Sequence, residues 1–315
     1  DSFTDYEVTT FPEAVGRVAG ELAVSSTGAA TYLVPIALPP GVKEVVPSLA
    51  LSYNSQGGNG IAGWGWNIAG LSTISRIGAT LFHDGVIDPV DFDALDRFAL
   101  DGQRLILVEG DHYGADGSVY ATENYSNIKV VASGEWDVQG TDVPLEFVVH
   151  YPDGSRAWYG FPTSGMLEWA INRWQDPQGN SILYRYTKDG GSLRADKIYY
   201  GARSQKIEDH PNVIEFKYED KEQVTTTFVG GTGFYQKGLL EAIEIKTNNK
   251  LYRKYQLDHD TNSGGYERLT SVEEQTASET KPPITFDYTE ENYEGIITSV
   301  DLDNQFSGDW SALFA

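Results

Sequence analysis

Asp88, Asp91 and Asp93 crowd into the segment Asp84-Gly85-Val86-Ile87-Asp88-Pro89-Val90-Asp91-Phe92-Asp93, and Asp301 and Asp303 form a second acidic pair. Calcium takes roughly six to eight oxygen ligands, and carboxylates at close spacing supply some of them. Neither stretch completes an EF-hand loop, so both are weak calcium candidates beside the plainer reading of a solvated acidic loop. Gly58-Asn59-Gly60-Ile61-Ala62-Gly63 fits G-x-G-x-x-G, with Asp84 at about the 20-residue offset of a ribose contact. A dinucleotide site needs a helix to start there, and Trp64-Gly65-Trp66 is a poor helix start. A packed glycine turn is the better reading. His83, His112, His150, His210 and His259 are scattered, with no H-x-x-x-H pair to hold zinc. No G-x-S-x-G elbow occurs. Carboxylate pairs for glycoside hydrolysis mean little in a chain with 46 Asp and Glu residues, since some must lie near each other. No catalytic residue and no cofactor is expected.

Composition narrows the classes further. A formal charge of −23 argues against nucleic acid or an anionic membrane as partner, because both need clustered Lys and Arg. The absence of cysteine removes disulfides, thiolate metal sites and cysteine nucleophiles together. No apolar run approaches the ~20 residues of a membrane helix, so no membrane insertion is expected. The chain opens on Asp1 with neither methionine nor signal peptide and reads as a processed or trimmed product, and the lack of cysteine is compatible with an exported bacterial protein.

The elements that would position any site are organised around residues 27–76. Two extended runs, Thr31–Leu38 and Pro47–Asn54, flank Pro39-Pro40-Gly41. Leu49, Leu51 and Tyr53 then share one side of a strand. A glycine-rich turn leads to Gly63-Trp64-Gly65-Trp66, where glycine permits tight backbone and the tryptophans pack. Gly58, Gly60, Gly63, Trp64 and Trp66 are therefore expected to be structural. No charge interrupts residues 45–75, so the block is expected to be buried. Asp101-Gly102 lies between apolar runs and marks a tight hairpin turn. Upstream, Glu13–Val24 has Ala14, Val18 and Leu22 on one helical face, but Gly16 and Gly20 favour an irregular arm. Residues 110–145 look like hairpins with long loops.

From Leu145 to Tyr288, short runs rich in Tyr, Val, Ile and Phe alternate with turn clusters such as Asp153-Gly154 and Asp189-Gly190-Gly191. Phe147–Tyr151, Ile182–Tyr186, Val213–Tyr218, Val224–Val229, Ala242–Thr247 and Leu251–Leu257 are examples. Without helix-period segments between them, these strands must be antiparallel, since parallel pairing needs long crossovers. The fold class is all-β.

Residues 27–76, followed by Asp96-Arg97-Phe98-Ala99-Leu100-Asp101-Gly102-Gln103-Arg104-Leu105, resemble the N-terminal SpvB-type domain. That domain occurs in a virulence-plasmid toxin, in the B subunits of Tc insecticidal toxin complexes and in large bacterial proteins with Rhs/YD repeats. Trp174 to Tyr186 and Ile198-Tyr199-Tyr200-Gly201 are similar to the same family, and Asp176 to Tyr186 follows the D-x-x-G-N-x-x-x-Y-x-Y grammar of YD repeats. The resemblance implies an extended, mostly antiparallel sheet with hairpins, part of the curved wall of a hollow Rhs/Tc-like shell around a C-terminal toxin or effector segment. It implies three parts: an arm (1–26), a β domain (27–295, dividing near 145), and a lead-in (296–315) to a following module, a β-propeller in Tc B subunits. The implied partners are the rest of the same polypeptide, the enclosed segment and a secretion or Tc-type subunit, outside the cell or on its surface. ADP-ribosylation, known in the virulence-plasmid toxin, belongs there to a separate domain. Its two glutamates one residue apart do not occur here. An extracellular adhesin or glycan-binding module using exposed aromatics is the alternative. A coplanar aromatic pair in a groove would favour it. As a wall, the sheet is expected to be partly polar on both faces.

Overall fold

A computed structural model describes residues 20–138, 141–164 and 167–288. The expected arm before Gly20 and the lead-in at 296–315, with Asp301 and Asp303, lie outside the described residues. The chain is all-β, as the turn-punctuated apolar runs require, and no described helix is long and apolar enough to cross a membrane.

The first unit is a small antiparallel sheet of β1 (Glu21–Val24), β2 (Ala30–Pro35), β3 (Ala50–Asn54) and β6 (Trp66–Ala69). Between the last two, β4 (Asn59–Gly60) and β5 (Gly63–Trp64) form a minimal hairpin. Alternation decides its inner face: Val34 and Leu51 have no exposed surface, while Leu33 and Ser52 face outward. The uncharged block is therefore one-sided, not buried throughout. Leu49, Leu51, Ala62 and Trp66 are inside, and Asn54 to Gln56 are exposed.

The second unit is a barrel that the sequence did not announce. Its strands are β7 (Thr73–Ile77), β8 (Arg97–Leu100), β9 (Gln103–Glu109), β10 (Val119–Thr122), β11 (Lys129–Val138), β12 (Thr141–His150), β13 (Arg156–Ser164) and β14 (Glu168–Gln175). Each pairs antiparallel with the next, and β14 returns to β7 through Glu168↔Ser75, Trp169↔Ile74 and Ala170↔Thr73. Eight strands enclose a space that side chains can just fill. Ile74, Phe98, Leu105, Tyr120, Phe147, Tyr159 and Trp169 fill it, with Phe98, Phe147 and Trp169 meeting edge to face at ring separations of 5.2–5.3 Å. Residues 110–145 are correspondingly more regular than their composition suggests, with β11 and β12 each running 10 residues.

The sheet forks at β14. Its first three residues close the barrel, and Arg173↔Leu183 through Gln175↔Ser181 begin an open sheet. That sheet continues through β15 (Ser181–Asp189), β16 (Ser192–Ala202), β17 (Asn212–Val229), β18 (Thr232–Thr247), β19 (Lys250–Thr261), β20 (Glu267–Gln275) and β21 (Ile284–Thr285). The runs Val213–Tyr218 and Val224–Val229 are one strand, β17, with a register break between Asp220 and Thr225. One face of the open sheet carries Ile198, Tyr200, Ile214, Phe216, Ile243, Ile245, Tyr255 and Leu257, all buried, and the small sheet packs toward it in one core. The opposite face carries Lys197, Glu215, Lys217, Glu244 and Lys246. The covered face is mainly apolar but also holds buried Lys221, Glu267 and Glu274, and the opposite face is charged, so both faces carry polar groups to very different degrees.

Candidate functional site

Residues 36–69 cross the apolar face of the open sheet as a strap, tied down strand by strand. Tyr200 Oη on β16 donates to Pro39 O (2.8 Å), and Ala37 N donates to Tyr255 Oη on β19 (2.9 Å). Leu240 N on β18 donates to Ile61 O at 2.7 Å, and His259 Nε2 lies 3.1 Å from Ala62 O. Lys221 Nζ on β17 donates to Asn59 Oδ1 at 2.8 Å and Gly60 O at 2.6 Å. Burial pulls the pKa of that ammonium down to about 8, with the attraction of buried Glu267 opposing the shift. A buried cation with two oxygen acceptors is a costly group held for its geometry.

The structure separates residues that the sequence grouped. Gly58 has open space around its Cα, whereas a side chain on Gly60 would strike Trp66 O at 2.0 Å. Gly63 adopts φ +109°, and a Cβ there would press on the β20 backbone, 3.1 Å from Leu269 N and 3.2 Å from Glu267 O. Trp64 is 37% exposed and tilts against Tyr266 (4.8 Å between rings, 47° between planes). Trp66 is 1% exposed, packs on Phe286 (4.7 Å) and Tyr53 (5.3 Å), and donates from Nε1 to Tyr288 Oη at 2.9 Å. Tyr288 Oη donates in turn to Leu269 O. Asp101 (φ +47°) and Gly102 (φ +80°) form the turn between β8 and β9. The Asp101 carboxylate also accepts from Thr73 N (2.9 Å) and Ser72 Oγ (2.7 Å), joining that hairpin to the start of β7.

Where the strap meets the fork there is a concavity of about 430 Å³, lined in part by Ser72, Thr73, Glu168, Tyr186, Arg194 and Tyr218. Burial raises the pKa of the Glu168 carboxyl and pushes the Tyr186 phenol well above its usual range. Both shifts favour the protonated form of the group. Ser72 Oγ donates to Asp101 (2.7 Å) and lies 2.8 Å from Tyr159 Oη, an arrangement without the serine–imidazole–carboxylate order of a hydrolase triad. The G-x-G-x-x-G run passes into strand β5 rather than a helix, and so presents no helix N-terminus to a phosphate. Among the described residues, Asp88, Asp91 and Asp93 form a group whose carboxylate oxygens lie within 4.8 Å of one another. Loss of solvent, then repulsion from Asp91 and Asp93, raises the pKa of Asp88.

Residues 24–83, which hold the strap, match the family model SpvB, described as Salmonella virulence plasmid 65kDa B protein. That match covers 60 residues of the chain, and the wider likeness is one of fold. Solved structures share its fold. The crystal structure of TcdB2-TccC3 aligns with a TM-score of 0.68 at 16% identity, covering 91% of this chain and 18% of that one. The Photorhabdus luminescens Tc holotoxin pore gives 0.65 at 16% identity, over 87% of this chain and 16% of that chain. The N-terminal domain of the effector protein SpvB from Salmonella typhimurium strain LT2 gives 0.56 at 17% identity, over 77% and 98%. The chain thus spans less than a fifth of the TcdB2-TccC3 chain. No curated protein matches by sequence.

Proposed function

We propose that this SpvB-type chain is a non-catalytic wall module of a large Tc-like protein, exported or displayed by a bacterium, whose β-shell encloses a toxin or effector segment. In this reading residues 27–295 form the wall, joined at one edge by β1 (Glu21–Val24) from the segment 1–26 first expected to be an arm. The rest of the polypeptide, the enclosed segment and a Tc-type subunit are the partners. The observation that carries the reading is the strap, whose hydrogen bonds to β16, β17, β18 and β19 fix several strands in one curvature. It lies within the stretch that matches the SpvB model. Fixed sheet curvature is what a wall needs, and eight-stranded closure provides a rigid block at one end of the open sheet. The ring pairs around the strap are tilted or edge-on, which gives a sugar no flat platform.

Protease protection tests it. In the native gene product, the enclosed segment should resist digestion until the shell is unfolded. Trp66→Ala, at a cost of about 3–5 kcal/mol for a buried tryptophan, should expose that segment at lower denaturant than in the parent. Digestion of the segment at equal rates in the parent and in unfolded protein would contradict enclosure.

A further inference from the structure

Between β7 and β8 the chain makes an excursion, residues 78–96, whose polarity is turned inside out. Two of its carboxylates, Asp84 and Asp96, face inward. Asp84 accepts from Arg97 Nε at 2.7 Å and also pairs with Arg104, and Asp96 holds Arg76 at 2.7 Å with both side chains 1% exposed. Its apolar groups face water: Phe82 is 89% exposed, Ile87 81%, Leu81 65%, Val86 42% and Leu95 40%. Nor is the excursion loose. Thr80 N donates to Asp84 Oδ2 at 2.8 Å, closing the turn of helix α1 (Leu81–Asp84). Phe92, 2% exposed, lies 6.3 Å from Phe234 of β18, and Gly230 at the tip of the β17–β18 hairpin abuts Asp91 and Phe92. Anchored apolar side chains in water mark a contact surface, and a rigid base lowers the ordering cost of binding.

The same excursion sets the sign of the partner. The carboxylates of Asp88, Asp91 and Asp93 converge directly after exposed Ile87 in the same excursion, in a chain of net charge −23. A second copy would bring like charges together. We propose that this excursion docks a separate protein whose contacting face is apolar and rimmed with lysine or arginine. The inference does not depend on the wall reading, because it concerns a surface away from the strap.

Two synthetic helical peptides with the same leucine face test it, one with a lysine polar face and one with a glutamate polar face. Their fluorescence anisotropy is followed against the 315-residue chain. The lysine peptide should bind saturably and the glutamate peptide should not. The double variant Phe82→Ser, Ile87→Ser should weaken the lysine peptide by about tenfold or more. Asp91→Asn with Asp93→Asn should weaken it less and flatten its salt dependence. Phe82, Ile87 and Asp91 are exposed, and Asp93→Asn keeps the oxygen that accepts from Leu95 N, so each variant should stay folded with a melting temperature close to the parent's. Equal binding of the two peptides, or parent-like binding by the Phe82, Ile87 variant, would overturn the proposal. So would a dimer in sedimentation that the same variant abolishes, since the occupant would then be a second copy.

Discussion

Glu215 organises the charged face of the open sheet. Its carboxylate accepts from Lys197 (3.2 Å), Lys217 (2.9 Å) and Lys246 (3.0 Å), two of them on neighbouring strands. Burial works to raise its pKa, but the three ammonium groups outweigh burial and hold it at about 2. A carboxylate with a depressed folded pKa contributes stability above its unfolded value of 4.5 and loses it as pH falls toward 2. The lysines are partly exposed, so solvent screening limits the effect. Glu215→Gln should cost about 1–2 kcal/mol at neutral pH, and the gap from the parent should close between about pH 4.5 and 2 in urea melts. A gap that stays constant across that window would mean that the lysine cluster adds nothing. Inside the barrel, Arg76 and Asp96 form the opposite kind of pair. Burial lowers the pKa of the first and raises that of the second, and hydrogen bonds from Phe92 N and Asp91 N complete the carboxylate's shell. Such a pair fixes geometry more than it adds stability.

At the scale of elements, the strap separates its glycines by what surrounds them. Gly58→Ala should be neutral or slightly stabilising. Gly60→Ala and Gly63→Ala should each cost about 1–3 kcal/mol, from the clash with Trp66 O at one and the positive φ at the other. Thermal melts of the three variants decide this, and equal losses at all three would refute the packing described. The sequence announced this turn as glycine-rich but could not rank its glycines, because the atoms they meet come from β6 and β20. Trp64 and Trp66 are two residues apart and would share a face in a continuous strand. Gly65, at φ +78°, breaks the strand between them, so one reaches Tyr266 and the other the core. Strand identity was legible for most of residues 145–288, because alternation reports faces. Alternation does not report partners. The closure of β14 on β7 joins residues about 95 positions apart and left no local mark. The excursion at 78–96 was read only for its acidic residues. That Asp84 and Asp96 anchor inward while Phe82 and Ile87 face water depends on Arg76, Arg97 and Arg104, which lie outside it.

For the whole molecule, a closed barrel and an open sheet share one strand, β14, and the strap holds the open sheet's apolar side. A barrel removes its own edges, while an open sheet presents a charged face and a terminal strand that further structure can extend. Cryo-electron microscopy of the native gene product tests the central claim most directly. The wall reading predicts a hollow body in which β15–β21 continue into neighbouring strands, with density for a segment inside. A compact domain standing clear of any shell, with the β21 end of the open sheet facing solvent, would contradict it.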